Sequence, residues 1–131
     1  THVKVKQFDK LRPNSIILLE QVRTIDKSRI KGFVDMLDKS QMKEVENALK
    51  ISDTLFKSRT FAATHTVSET LQFVEEAIKK APGLDLEYFE IVDGYKLQRI
   101  ESWDETPYAV GCITVFCGEI RLIDNIKYKE V

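Results

Sequence analysis

Few side chains in this sequence could do chemistry, and their spacing keeps them apart. The only histidines are His2 and His65, and the only cysteines are Cys112 and Cys117. A Ser–His or Cys–His nucleophile needs both groups within hydrogen-bond reach. No Ser or Cys stands at a usable position beside either histidine. A zinc site needs more nearby ligands than His2 and His65 supply. Cys112 and Cys117 lie five apart in an apolar run, and odd spacing on a strand sends side chains to opposite faces. Two buried, reduced thiols are therefore expected rather than a disulfide. Glu87 and Glu90 flank Tyr88-Phe89 and fall on opposite strand faces, so they do not form a paired-carboxylate acid–base site. His65 directly precedes a helix cap and is expected to face solvent. Trp103, in Glu101-Ser-Trp-Asp-Glu-Thr106, reads as a loop anchor.

The elements that would position these residues follow from periodicity. Val3 and Val5 alternate with Lys4 and Lys6 as in a half-buried strand. Arg12-Pro13-Asn14 is turn chemistry. Ser15–Thr24 carries Ile16, Ile17, Leu18, Leu19 and Val22, a strand buried on both faces for part of its length. Asp26–Ile30 reads as a turn, and Gly32–Leu37 as a short strand. Asp38 is a good N-cap with Gln41 as its capping-box partner. Gln41–Thr60 then reads as one amphipathic helix, with Met42, Val45, Leu49 and Leu55 or Phe56 at helical spacing and Ala48 on the same face.

Thr66-Val-Ser-Glu69 is a second capping box, followed by the stripe Val67, Leu71, Val74 and Ile78 and stopped by Pro82-Gly83. Glu75-Glu76 and Lys79-Lys80 make i,i+4 pairs on its exposed face. Leu84–Val92 is a strand ending at the Asp93-Gly94 turn. Lys96–Ile100 is a candidate short edge strand, Tyr108–Phe116 a near-continuous apolar strand, and Gly118-Glu119 a tight link into the last strand, Ile120–Tyr128. The fold class is α+β, in the order βββ-αα-βββ(β), with antiparallel strands packed around two central helices. No Pro/Gly/Ser-rich linker separates the halves, so residues 1–131 are expected to form one merged module.

Composition sets outer limits. The sequence has 131 residues, 43% hydrophobic and 31% charged, which fits a globular domain rather than a disordered chain. The longest apolar run, Ile16–Leu19, is far too short to span a membrane. Thr1, not Met, opens the sequence, as a processed start or an interior cut would leave it. Thr1–Lys4 already alternates like a strand, so no signal peptide is expected and the assigned location is cytoplasmic. Residues 1–52 hold 11 Lys/Arg against 7 Asp/Glu, whereas residues 53–131 hold 9 against 14. A basic half can face nucleic acid; two halves of different origin explain the same asymmetry.

Two resemblances divide the chain. Residues 1–52 resemble the C-terminal half of the MazF/PemK toxin family. The matching residues are Thr1-His-Val-Lys-Val5, the run Asn14–Lys27 with Ile17-Leu-Leu-Glu-Gln-Val-Arg-Thr-Ile-Asp26, then Leu37-Asp38 and Met42–Ser52. The resemblance implies a small β-barrel ribonuclease that dimerises and is neutralised by an antitoxin peptide. It places Glu20, Gln21, Arg23 and Thr24 near an RNA groove, where Arg suits phosphate and Gln suits base edges. The family's catalytic Arg and Thr belong to N-terminal strands and a Gly-Gly-x-Arg-Pro loop that these residues do not include.

Residues 53–131 are similar to the C-terminal domain of the pantothenate synthetase (pantoate–β-alanine ligase) family. The carrying residues are Leu84-Asp-Leu-Glu-Tyr-Phe-Glu-Ile-Val-Asp93 and Gly118-Glu-Ile-Arg-Leu-Ile-Asp-Asn-Ile126. In that family the domain is a lid over a Rossmann-like ligase that couples pantoate to β-alanine with ATP. The family's His-rich and Lys-Met-Ser-Lys-Ser-like elements and its Ser-Ser-Arg-Asn stretch have no counterpart here. Asp124 and Asn125 are then expected to fix a strand-end turn, and Arg121, beside Glu119, to be a cross-strand partner.

The reading is a chimera, natural or engineered: a structural module without a complete active site. It assigns no catalytic residue, metal or cofactor. Its alternatives are a weak RNA- or antitoxin-peptide-binding module using Glu20, Gln21, Arg23 and Thr24, and a ligase lid that needs its N-terminal domain. Cut surfaces must be covered, so the expected partner is a second copy of the chain, with no membrane contact.

Overall fold

The computed structural model describes residues 2–4, 16–18, 27–30, 32 and 36–130. It divides into two compact units, Thr1–Leu49 and Lys50–Val131. The division falls inside a single helix.

In the first unit, β1 (His2–Lys4) pairs antiparallel with β2 (Ile16–Leu18), with Val3 opposite Ile17. Lys27–Arg29 forms one 3₁₀ turn. Gly32, Met36 and Leu37 are not in a strand; residues 33–35 of the strand expected there lie outside the described residues. Helix α1 spans Lys39–Ala62. Asp38 caps it as its sequence requires: its Oδ1 accepts from the Gln41 amide at 2.8 Å, and Gln41 Oε1 accepts from the Asp38 amide at 3.3 Å. The buried stripe differs from the expected one. Gln41, Asn47, Ala48, Ile51, Leu55 and Ser58 are buried, while Met42, Leu49 and Phe56 are exposed. The helical period is kept but rotated, and small or polar residues occupy positions that hydrophobicity alone would give to Met and Leu.

In the second unit, α2 spans Val67–Lys79 behind a complete capping box. Thr66 Oγ1 accepts from the Glu69 amide at 3.2 Å, and Glu69 Oε2 accepts from the Thr66 amide at 2.8 Å. Its buried face is Val67, Thr70, Val74 and Ile78. Burying Thr70 is tolerable because its hydroxyl donates to Thr66 O at 2.8 Å. Strands β3 (Asp85–Asp93), β4 (Tyr108–Cys117) and β5 (Ile120–Glu130) form an antiparallel sheet in that order. Gly118, at φ +60°, opens the two-residue link between β4 and β5.

The expected strand at Lys96–Ile100 reduces to one bridge, Val92 opposite Arg99. The Asp93 carboxylate accepts from the amides of Tyr95 and Lys96, both at 2.8 Å, and Leu97 takes φ +57°. These bends leave no room for an extended run.

Helix α2 and residues 50–62 of α1 cover one face of the sheet. Phe89, Ile91, Ala109, Ile113, Val115, Leu122 and Ile126 are buried there, and the helical residues Ile51, Leu55, Val67, Val74 and Ile78 are buried with them. Gly111 sits at a close approach of two rings. A Cβ on it would lie 2.5 Å from the Tyr128 ring and 3.1 Å from the Phe89 ring. Tyr128 is the extra residue of a β-bulge, since Ala109 pairs with Lys129 and Val110 with Lys127. Its hydroxyl lies 2.6 Å from that of Ser58. Ser58 donates to Leu55 O at 2.7 Å, so Tyr128 must be the donor between the two hydroxyls.

Burial pushes the Tyr128 phenol up to about 12 from its ordinary 10.0, against the smaller opposing effect of Ser58. The folded state therefore keeps a proton that the unfolded chain loses. The stability tied to this group is intact below pH 10 and is lost as pH rises towards 12, by about 2 kcal/mol. Urea unfolding of the native chain and Tyr128→Phe at pH 8 and pH 11.5 should show the extra alkaline loss only in the native chain. Equal losses in both would contradict it.

Candidate functional site

The face of the sheet away from the helices carries the unit's unsatisfied chemistry. Tyr88, Glu90 and Val92 of β3 stand there in register with Thr114, Cys112 and Val110 of β4, and these with Ile123, Asn125 and Lys127 of β5. A bulge between Leu86 and Tyr88 makes Glu87 an extra residue. Glu87 spans the sheet to Arg121, accepting from Nε at 2.6 Å and Nη2 at 3.2 Å. This two-pronged pair holds the Glu87 carboxyl below its usual range. At the β3 edge, Arg99 bonds Glu90 and lowers that carboxyl in the same way.

Between these ion pairs the face is apolar and half covered. Ile123 is 56% exposed and Tyr88 37%, yet Thr114 between them is 0% exposed. The Thr114 hydroxyl has no hydrogen-bond partner among the described residues. Burial, and secondarily the charge of Glu90, raise the half-buried Cys112 thiol. Its thiolate is therefore suppressed, and it is a poor nucleophile.

Hollows lined by described residues adjoin the sheet. One, of about 490 Å³, runs along β3 beneath Leu71 and Glu75, with Glu87, Glu90, Arg99 and Glu101 on its rim. Another, of about 300 Å³, lies among Arg59, Ala62, Ala63, Trp103, Tyr128 and Lys129. No three His, Cys, Asp or Glu side chains among the described residues gather as a metal set. No helix there is long and apolar enough to cross a membrane.

Several expectations change. Glu20, Gln21, Arg23 and Thr24 lie outside the described residues. Asp124 and Asn125 stand mid-strand opposite Ile113 and Cys112, not at a strand-end turn. The turn is taken two residues before Arg121, at Gly118-Glu119. Arg121 is the cross-strand partner expected of it, and its mate is Glu87, two strands away. His65 is half-buried, its ring stacked 3.6 Å from that of Phe61 and its Nδ1 2.9 Å from Phe61 O. The two cysteines are half-buried rather than fully buried. Trp103 is an anchor, its Nε1 donating to His65 O at 2.8 Å. Thr114, Tyr88 and the Glu87 bulge gave no signal in the sequence, because register shifts depend on the neighbouring strand.

Comparison with known proteins gives this geometry a family. The model of the PemK-like, MazF-like toxin of type II toxin-antitoxin systems matches residues 1–52. The pantoate-beta-alanine ligase model matches residues 34–127. The chain belongs to the pantoate-beta-alanine ligase family. The pantothenate synthetase of Bacteroides fragilis is 77% identical over 87 residues, which are 66% of this chain and 31% of that protein. That of Bacteroides thetaiotaomicron is 74% identical over 89 residues, covering 68% of this chain and 32% of the relative. The crystal structure of the Thermus thermophilus pantothenate synthetase superposes with a TM-score of 0.59 at 26% identity, over 71% of this chain and 32% of the other. The chain thus spans about a third of the length of the curated relatives it matches. Its ligase-family part corresponds to a C-terminal segment of a pantothenate synthetase.

An orphaned buried hydroxyl costs folding free energy that a methyl group would not. Thr114→Val keeps the β-branch that the strand favours. It should raise stability by about 1 kcal/mol, read as a higher urea midpoint at unchanged slope. A lower midpoint would show that the hydroxyl is satisfied in solution.

Proposed function

We propose that the chain joins a toxin-like segment to the covering segment of a pantoate-beta-alanine ligase. In this reading it has no complete active site of its own, and residues 50–131 work by closing over a ligase body. The observation that carries the reading is the outer sheet face. Exposed Ile123 and Tyr88 surround a buried, unpartnered Thr114 hydroxyl, and fixed ion pairs frame them. An apolar patch framed by fixed charges is suited to meeting another surface.

The chimeric reading draws its support from the overlap of the two family matches across residues 34–52. The boundary between the compact units falls within that overlap. The toxin-like residues Glu20, Gln21, Arg23 and Thr24 are assigned no activity.

Complementation tests the proposal. The chain is mixed with the remaining two-thirds of the Bacteroides fragilis enzyme, expressed separately, and pantothenate formation from pantoate, β-alanine and ATP is followed. Activity should rise with added chain and saturate. Arg121→Ala, which frees Glu87, should lower it. If the same body is rescued by its own C-terminal segment but not by this chain, the proposal fails.

A further inference from the structure

The hollow of about 300 Å³ on the helix side of the sheet belongs to neither the outer face nor the β3 edge. Its walls are aromatic and its rim is cationic. Trp103 is held from several directions. Its Nε1 donates to His65 O at 2.8 Å, and its carbonyl accepts from Lys129 Nζ at 2.9 Å. The 3₁₀ turn Trp103–Glu105 is capped by Ser102, whose amide donates to Glu105 Oε1 at 2.7 Å. The indole leans on the Tyr128 ring at 5.4 Å and 46°. Ala62 and Ala63, at the end of α1, offer only methyl groups, which leaves the space open.

The charges at the rim are not spent internally. Among the described residues no carboxylate pairs with Arg59 or Lys129, whereas neighbouring Lys57 and Lys127 are paired with Asp53 and Glu130. Lys129 has given one of its three ammonium donors to Trp103 O, and two remain. The Arg59 guanidinium offers a planar fork suited to two oxygens at once. The C-terminal end of α1 opposes an anion, but two of its last carbonyls are already engaged. Thr60 O accepts from the Ala63 amide, and Phe61 O accepts from the Thr64 amide and faces His65 Nδ1.

We propose that this hollow binds a planar aromatic ring bearing a phosphate group, the ring against Trp103 and the phosphate between Arg59 and Lys129. The volume suits one ring system and one phosphate and excludes a dinucleotide. Stacking on a fixed indole supplies ring affinity at little ordering cost. Arg59 and Lys129, with no carboxylate partner among the described residues, supply the charge-assisted hydrogen bonds. The site shares no residue with the outer face, so it stands or falls independently of the ligase reading.

Trp103 is the single tryptophan of the chain, so its fluorescence reports this pocket directly. The full chain is titrated with phenyl phosphate, adenosine monophosphate, adenosine and inorganic phosphate. Phenyl phosphate or the nucleotide should give a saturable change, and the better of the two identifies a small aryl phosphate or a nucleotide as the source. Adenosine and inorganic phosphate should bind about tenfold more weakly or worse. Arg59→Ala should weaken binding about tenfold, and rising salt should weaken it further. Lys57→Ala, on α1 and outside the pocket, should leave it unchanged. No saturable response, an equal response to adenosine, or binding indifferent to Arg59→Ala would overturn the proposal.

Discussion

The second unit depends on one close approach. Gly111 carries no side chain, and the rings of Tyr128 and Phe89 occupy the space a Cβ would need. Interiors are packed too densely for such a position to be shared, so glycine here is a condition for the other contacts. Because the Tyr128 ring can lie over β4, its hydroxyl reaches Ser58 and fastens the latter part of α1 to β5. Because Tyr128 is the extra residue of a bulge, the same ring also meets Trp103 and brings the loop after β3 against the helix end. Helix, sheet and loop converge on one residue whose buried phenol is held neutral.

The two faces of the sheet differ in how completely they are satisfied. On the helix side, apolar residues are buried, and the hydroxyls of Thr70 and Ser58 are bonded to Thr66 O and Leu55 O. On the outer side, the Glu87–Arg121 and Glu90–Arg99 pairs are exposed, and they contribute little to stability. They do set the positions of charge around an apolar centre. Fixed charges around the exposed Ile123 are what distinguish this face from the helix side.

The elements legible in the sequence were those set by local chemistry. Asp38 with Gln41 and Thr66 with Glu69 announced both helix starts, because a capping box is complete within four residues. Apolar runs bounded by Asp93-Gly94 and Gly118-Glu119 placed the three long strands. The α+β class followed from the order of these elements, and residues 84–93 and 118–126 carried the ligase-family resemblance. What was not legible depends on partners distant in sequence. The bulge at Glu87 brings its carboxylate to Arg121 two strands away, and the pairing of β5 with β4 puts Asp124 and Asn125 in mid-strand. The rotation of the α1 stripe hid behind Met42 and Leu49, which look like core residues by type. His65 looked solvent-facing until Phe61 supplied its stacking surface.

That the outer sheet face, not the helix side, meets the rest of a ligase is tested most directly by isoleucine-methyl NMR. Spectra of the chain are compared before and after addition of the remaining two-thirds of the Bacteroides fragilis enzyme. Ile123 reports the outer face; Ile51, Ile78 and Ile113 report the core beneath the helices. The Ile123 signal should shift on addition while those of Ile51, Ile78 and Ile113 stay in place. Shifts at Ile51 and Ile78 with Ile123 unmoved would contradict it.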